Sequence, residues 1–520
     1  MSDTVYLTTP LYYVNAEPHL GHTYTTVVVD TLARYHRAMG REVFFQTGTD
    51  EHGDKIAEAA RANGASPEEY ADRISKIFRS TWDACDITYD HFIRTTDDYH
   101  VAFVRDVLQK VYDAGDIYFG EYGGNYCTGC ERFYAERELV NGKCPDHETE
   151  PVWIKEENYF FRMGKYQERL RAHLESHPEL IYPAGYRNEV LGLLREPLED
   201  LCISRPKSRL TWGIQMPFDD NYVTYVWFDA LLNYLSGIEH VDPARAGDRW
   251  NHAQHFIAKD ILKPHAVFWP TMLMAAGYPI YERLNVHGYW NMGESKMSKS
   301  LGNVIRPLEM KRRFGLDSFR YFLLREMAFG SDAAFTEDAF ITRFNADLSN
   351  GLGNLVSRVL SMQHKYFDGR LACSDDAPED ATLERAFIDA EAGMKDHMDH
   401  LAFHLALEEV WKALNACDKY IVEQAPFKQW KHEDARPRVG AILHTLCDAL
   451  RHTVRMIGPF LPETAARMAD MLGYEKDSPA WQEALSPACN APEWGGFYPP
   501  GHVVAKPEAL FPRLETDGKA

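Results

Sequence analysis

His19-Leu20-Gly21-His22 and, far downstream, Lys296-Met297-Ser298-Lys299-Ser300 decide the fold of this 520-residue chain. The first string follows a short β-rich run, Val5 to Thr9, and opens a helical stretch, His22 to Met39, that ends at Gly40. Glu42 to Thr47 reads as a second strand, with Gly48-Thr49-Asp50-Glu51-His52-Gly53 as the loop at its end. Strand, loop, helix and strand in that order are the grammar of a parallel α/β unit. The second string follows another predicted strand, Leu284 to Gly288, after a strand at His255 to Asp260 and a helix at Pro264 to Ala276. These later segments can complete the sheet begun at residue 5, so the α/β fold is split by a large insertion.

Between the two strings the pattern changes. Tyr118 to Asn158 is turn-rich, and the stretch from Tyr118 to about Thr211 reads as the inserted domain. The α/β grammar returns at Tyr222 to Tyr234. From Ser318 onward the chain is mostly helical. Ile341 to Tyr366, Ala377 to His397, Leu401 to Ile421, Arg438 to Met456 and Pro462 to Leu472 carry helical periodicity, and short polar connections imply a bundle. The expected division is 1–117 and 212–292 for the α/β domain, 118–211 for the insertion, 293–340 for the lysine loop and its surroundings, and 341–520 for the bundle and a tail.

Composition narrows the class. The chain is 45% hydrophobic and 26% charged, as expected of a folded protein with several cores. Lys and Arg number 56 against 77 Asp and Glu, a formal charge of -21, where a simple nucleic-acid binder would more often be basic. Binding depends on the local field, however, and Lys296 to Arg320 is locally basic. Met1-Ser2-Asp3-Thr4 does not open a secretory signal, and no run of about 20 apolar residues is long enough to span a membrane. Nine scattered or clustered cysteines do not make a disulfide scaffold and suit a reducing cytoplasm.

The two strings carry chemistry suited to a triphosphate. Gly21 permits close approach of a base or ribose, while His19, His22 and the start of the helix offer donors to phosphate oxygens. Lys296 and Lys299, in a polar loop, can pair with the β- and γ-phosphates and close only when the nucleotide is present. Either string alone reads better as exposed polar residues at a helix cap or in a basic loop, but in this order, each after a strand, they form one nucleotide site. Asp50 lies where open α/β sheets hold ligands and can bind an ammonium group; Asp260 can do the same or hold a ribose, although either can also be a helix cap. Tyr13, Trp227, Tyr234, His265 and Trp269 can wall an apolar pocket or simply pack the core, the latter being the better reading for Trp269. Cys127-x2-Cys130-x13-Cys144-x2-His147 has the spacing of a closed structural zinc site, with no open position for catalysis. Its acidic surroundings, Glu131, Glu136, Glu138, Asp146 and Glu148, favour a knuckle that holds the insertion in shape over a nucleic-acid finger.

These strings resemble the two signatures of the class I aminoacyl-tRNA synthetases, and the chain as a whole is similar to the methionyl-tRNA synthetases of compact bacterial type. The likeness extends through Pro10-Leu11-Tyr12-Tyr13-Val14-Asn15, Gly48 to Gly53, Tyr225-Val226-Trp227-Phe228-Asp229-Ala230, His255 to Asp260 and Phe268-Trp269-Pro270. It implies a Rossmann-like catalytic domain split by a zinc-binding insertion, followed by an all-α anticodon-binding bundle. It also implies ATP-dependent charging of methionine tRNA, initiator and elongator, through methionyl-adenylate. His19, His22, Lys296 and Lys299 would stabilise the reacting phosphates. Gly21, Asp260 and Gly288 would complete the nucleotide site. Leu11, Tyr13, Asp50, Trp227, Tyr234 and His265 would hold L-methionine, with Leu231 replacing a proline common in the family.

Asn354 and Arg358, one helical turn apart, match the family's anticodon-reading residues. Ala425-Pro426 is followed by Phe427 where a stacking tryptophan is expected, which leaves the stacking role between Phe427 and Trp430. ATP, Mg2+ and Zn2+ are the expected cofactors. The additional dimerising domain of longer relatives is not seen, so a monomer is expected. A noncatalytic RNA-binding paralogue and a related enzyme using another amino acid or a small-molecule acceptor are the competing readings.

Overall fold

The computed structural model describes residues 4–127, 132–134, 136–145, 148–292, 295–296, 305–372, 380–474, 478, 494, 498 and 501–515. The chain forms two compact units, one of residues 1–29 and 43–287 and the other of residues 30–42 and 288–520.

The first unit contains β1 (Thr4–Thr8), β2 (Tyr12–Tyr13), β3 (Glu42–Asp50) and β4 (His91–Arg94), then β5 (Ile117–Cys127), β6 (Arg132–Tyr134), β7 (Val152–Phe161), β8 (Ile181–Tyr182), β9 (Leu201–Cys202), β10 (Ser204–Pro206), β11 (Tyr222–Thr224), β12 (Ala253–Ala258) and β13 (Arg283–His287). Seven of these make one sheet of order β2-β3-β1-β12-β13-β8, with β4 also on β3. Tyr6 pairs with Ala253, Thr8 with His255 and Ile257 with Val286, all in parallel ladders. The sheet begun at β1 is thus completed by β12 and β13, as the sequence implies. The chain leaves β1 toward β3 on one side and reaches β12 on the other. Beyond the carboxyl ends of the strands, such a change of direction is where open α/β sheets hold ligands.

Three local differences from the sequence reading matter. β3 runs on to Asp50, because Gly48 pairs with Ile93, Thr49 with Tyr12 and Asp50 with Tyr13. Asp50 therefore stands on a strand end and not in a free loop. Ile181–Tyr182, within the stretch read as inserted, pairs in parallel with Leu284–Asn285 and forms the edge of the main sheet; a two-residue strand has no periodicity to read. Tyr222–Thr224 pairs antiparallel with Ser204–Pro206 and does not rejoin the main sheet. The rest of 118–211 builds an antiparallel sheet of order β6-β5-β7-β9 and the helices Gln167–Ser176 and Ala184–Leu193. The core behind the main sheet includes Tyr6, Phe44, Phe228, Leu235, Ile257, Trp269 and Leu284.

The second unit is mainly helical. Its small sheet, β15 (Ser295–Lys296), β14 (Trp290–Met292) and β16 (Ala333–Phe335), is followed by Glu337–Arg343, a π-helical stretch Phe344–Gly353 and the helix Asn354–Phe367. Helices Asp380–Asp399 and Phe403–Gln424 pack together and against Arg436–Ile457, and Pro462–Met471 packs on the last of these. Apolar residues at helical spacing, such as Phe403, Leu407, Val410, Leu414, Cys417 and Ile421, face this core. Arg320 is fully buried and well satisfied. Its Nη1 donates to Asp30 Oδ2 at 2.6 Å, and Nε and Nη2 donate to the carbonyls of Phe460 and Pro459. Among the described residues no helix is long and apolar enough to cross a membrane.

Candidate active site

The helix Leu20–Ala38 starts just after His19, and the two imidazoles of the first string lie against each other with ring centroids 3.7 Å apart. Gly21 makes this possible: a Cβ there would stand 3.2 Å from His19 Cε1. The protonation of both rings follows from the backbone. Gly21 N–H donates to His19 Nδ1 at 3.1 Å, and His19 N–H donates to His22 Nδ1 at 3.4 Å. A ring nitrogen that accepts carries no proton, so in the neutral rings Nε2–H is the donor on each. The first turn of the helix thus combines two imidazole N–H donors with the positive end of the helix dipole, a setting suited to phosphate oxygens. Tyr12 supports this turn from behind. Its hydroxyl donates to the His22 carbonyl at 3.2 Å and shares a 2.6 Å hydrogen bond with Thr26 Oγ1, and its ring stacks on Phe78.

Asp50, buried at the end of β3, is in register with Tyr13, and the Val14 amide donates to its backbone carbonyl. The next residues are held from several sides. Glu51 accepts two hydrogen bonds from Arg94, at 2.8 and 2.7 Å, and one each from Thr49 and Thr96. Trp212 Nε1 donates to the Glu51 carbonyl, and the Tyr13 hydroxyl to that of His52. The strand end that presents Asp50 is rigid because its neighbours leave it few alternative conformations.

Across the same unit, Tyr234 and His265 are buried and 2.8 Å apart through hydroxyl and Nε2. Burial pushes the His265 imidazole down to about 4, against a small opposing effect of the Ile261 carbonyl. His255 lies beneath, its ring centroid 4.1 Å from that of Tyr234. Trp269 Nε1–H donates to His255 Nε2 at 3.3 Å, so His255 Nδ1–H faces Thr8 Oγ1 at 2.8 Å, and burial holds this ring neutral as well. Trp227, half-buried on the short helix Val226–Ala230, meets Phe268 edge to face. Leu11 and Tyr13 are half-buried, Leu231 is fully buried and Trp269 lies in the core. Asp260 is exposed in a single 3-10 turn just past the end of β12.

In the second unit, Gly288 is packed against backbone: a Cβ would stand 2.3 Å from the Ser331 carbonyl oxygen. The Lys296 backbone pairs with Asn291 in β15, while its side chain and all of Lys299 lie outside the described residues. Asn354 is exposed at the start of its helix, and Arg358, one turn on, donates to Asp418 Oδ1 at 2.7 Å. Ala425, at φ 43°, ends the helix Phe403–Gln424 and turns the chain into Pro426–Gln429. Phe427 is 45% exposed there. Trp430 is engaged, stacked on Tyr366 at 4.6 Å, met by the edge of Phe367 and covered by the Arg436 guanidinium.

Two of the four zinc-spaced residues, Cys130 and His147, lie outside the described residues, so among those described no group of three or more ligating side chains assembles. Cys127, at the end of β5, and Cys144 are both buried in one small cluster with Tyr134. Neither is in a disulfide, and the Cys144 thiol donates to the Tyr134 hydroxyl at 3.4 Å. Two buried thiols outside any disulfide, gathered at one end of the insertion, are donors of the kind zinc selects.

The structure also brings in residues that the sequence reading did not single out: His52, His100, Asp229 and His255. For His52, Asp229 and His255 the only signal was their position inside strings already noted, Gly48 to Gly53, Tyr225 to Ala230 and His255 to Asp260; His100 carried none. Asp229 is fully buried; burial works against its charge, but His52 and His100 together hold its carboxyl below the usual carboxylate range.

Comparison with known proteins agrees with this geometry. The family model described as tRNA synthetases class I (M) matches residues 5–152 and 147–360, and the anticodon binding domain of methionyl tRNA ligase matches residues 372–520. A methionine--tRNA ligase of Caldanaerobacter subterraneus subsp. tengcongensis is 42% identical over 520 residues, covering 99% of this chain and 80% of that protein. One from Streptomyces coelicolor is 40% identical over 98% of this chain and 96% of that protein. The Mycobacterium tuberculosis methionyl-tRNA synthetase, solved with methionyl-adenylate, superposes with a TM-score of 0.92 at 38% identity, covering 99% of this chain and 100% of that one. Its free form gives 0.85 at 35% identity, covering 99% of each chain. With a Rossmann-like α/β catalytic domain and an all-α anticodon-binding bundle, the chain belongs to the bacterial-type methionyl-tRNA synthetases of class I.

Proposed function

We propose that this protein is a methionine--tRNA ligase that activates L-methionine with ATP and transfers it to methionine tRNA. The observation that carries this reading is a set of residues in the first unit: stacked imidazoles at the helix start that follows β1, a buried carboxylate at the end of β3, and a neutral Tyr234–His265 pair on helical segments that flank β12 in sequence.

In the first step the methionine carboxylate attacks the α-phosphate. A carboxyl-oxygen-to-phosphorus bond forms, the bond to the β-phosphate bridging oxygen breaks, and pyrophosphate leaves. The carboxylate is already a nucleophile, so no general base is required. The work is orientation and charge placement. His19 and His22 donate Nε2–H to the α-phosphate as charge develops there, and Lys296 and Lys299 hold the departing phosphates. Gly21, Asp260 and Gly288 contribute to the nucleotide site, and ATP enters as its magnesium complex. Asp50 takes the substrate ammonium. Leu11, Tyr13, Trp227, Tyr234 and His265 enclose the thioether. In the second step a terminal ribose hydroxyl of the tRNA attacks the methionyl carbonyl and AMP leaves.

Asn354 and Arg358 read the anticodon, and the exposure of Phe427 supports it, and not Trp430, as the residue that stacks on a base. Cys127, Cys130, Cys144 and His147 would hold a zinc ion that shapes the insertion and takes no part in the reaction. The division at 1–117, 118–211, 212–292, 293–340 and 341–520 is our functional one, with both initiator and elongator tRNA as substrates. The protein works as a monomer in the cytoplasm and does not act on DNA.

The test is ATP–pyrophosphate exchange with each of the twenty amino acids, followed by charging of total tRNA. Exchange that requires methionine, with charging of methionine tRNA, is the expected result. Exchange with no amino acid, alongside tRNA binding, would identify a noncatalytic RNA-binding paralogue.

A further inference from the structure

Methionine is recognised at two ends, its ammonium and its thioether, and the residues read for these ends lie on separate elements. Asp50 and Tyr13 are on the paired ends of β3 and β2, Trp227 on the helix Val226–Ala230, and Tyr234 on the helix Asn233–Val241. The two helices are not part of the sheet, so strand pairing does not set their distance from Asp50.

Asp229 spans this gap. Its Oδ2 is 2.7 Å from His52 Nδ1, and its Oδ1 is 2.9 Å from His100 Nε2. His52 lies just past Asp50, and its carbonyl accepts the Tyr13 hydroxyl at 2.9 Å. His100 Nδ1 is in turn 2.7 Å from Ser236 Oγ, on the helix that carries Tyr234. Asp229 itself follows Trp227 on the short helix. One enclosed carboxylate thus joins the amine-side strand end to both helices of the thioether wall. Both of its oxygens are occupied by buried imidazoles, so the joint has little freedom to rotate.

We propose that Asp229 is a positioning residue that sets the separation between the ammonium and thioether subsites. This rests on the reading of these residues as a methionine site. A ligand anchored at both ends gains from both only when the spacing matches, and a shift of a fraction of an ångström costs it one contact. A ligand anchored at one end is indifferent to the spacing.

The experiment is Asp229→Asn in the full chain, with methionine and ATP varied separately in pyrophosphate exchange. The methionine KM should rise about tenfold while the ATP KM and kcat stay within about threefold. The analogue 4-(methylthio)butanoate lacks the amino group, and its inhibition constant against methionine should change by less than about twofold. His52→Gln cuts the bridge on the loop side only. It should reproduce the effect, with the double variant no worse than either single one, and it carries the test if the asparagine variant does not fold. Equal losses for methionine and ATP, equal losses for methionine and the analogue, or additive effects of the two substitutions would each overturn the proposal. A wild-type chain without methionine-dependent exchange would refute the function itself, and the proposal would fall with it.

Discussion

The Tyr234 hydroxyl donates to His265 Nε2 across 2.8 Å, and the other face of the imidazole sets this direction. His265 Nδ1 lies 3.0 Å from the Ile261 carbonyl, which can only accept. The proton therefore sits on Nδ1, and Nε2 is left to accept from the tyrosine. Burial holds the ring uncharged, so this buried pair carries no cation.

This neutrality predicts a pH dependence with a definite sign. The folded His265 titrates at about 4, below its ordinary 6.5, so between those values the unfolded chain binds a proton that the folded chain does not. Its contribution to stability is present above 6.5 and is lost as pH falls toward 4. His36, His91 and His452 are pushed down to about 4 as well, chiefly by burial, and act in the same window. Urea denaturation should show stability falling between about pH 6.5 and 4.5, by on the order of 1–3 kcal/mol per histidine. His265→Gln should reduce that fall. An identical pH profile for the variant would show that the ring is not held neutral.

Phe427 and Trp430 should separate cleanly. Phe427→Ala removes an exposed ring, so melting temperature and pyrophosphate exchange should be unchanged while the KM for methionine tRNA rises, by about tenfold for a stacking loss of 1–3 kcal/mol. Trp430→Ala removes the partner of Tyr366 and Arg436 and should lower the melting temperature. Charging kinetics beside thermal denaturation would show the split; the reverse pattern would exchange the two roles.

For the knuckle, metal analysis of purified protein should find about one zinc per chain. Cys127→Ser and Cys144→Ser should lose the metal and melt at lower temperature, because binding energy at a structural zinc site is folding energy. A zinc-free variant with an unchanged melting temperature would remove the structural role.

Gly48 and Gly192 make a paired test of packing. A Cβ at Gly48 would stand 2.0 Å from the Ile93 carbonyl oxygen in the neighbouring strand, a group that cannot swing aside. Gly48→Ala should cost about 3 kcal/mol or more. Gly192 lies in the helix Ala184–Leu193 with nothing within 4 Å of its added Cβ. Gly192→Ala should leave stability unchanged or raise it by up to about 1 kcal/mol. Denaturation midpoints decide between these expectations; equal effects at the two sites would contradict the packing.

Short-range features of the chain were legible before any folding. The strand-and-helix grammar around His19 to Asp50 and the amphipathic helices from Ile341 onward follow from periodicity and from glycine, serine and proline at their ends. Ser66, for instance, closes a capping box with Glu69 just where the helix Pro67–Ala84 begins. The zinc-like spacing of Cys127, Cys130, Cys144 and His147 and the choice of residues in the two signature strings are likewise properties of short stretches of sequence.

What only the tertiary structure decided involves partners far apart in sequence. Ile181–Tyr182 becomes an edge strand only because Leu284–Asn285 offers it a free ladder. Asp229 looks like any helical carboxylate until His52 and His100 close on it. Trp430 and Phe427 are equivalent aromatics until Tyr366 covers one of them. The tautomer of His255 follows from Trp269 and Thr8, not from the histidine's own neighbours in the chain. Local sequence sets backbone conformation and which face is apolar; hydrogen-bond direction, burial and charge state depend on which groups the completed fold brings within about 3 Å of each other.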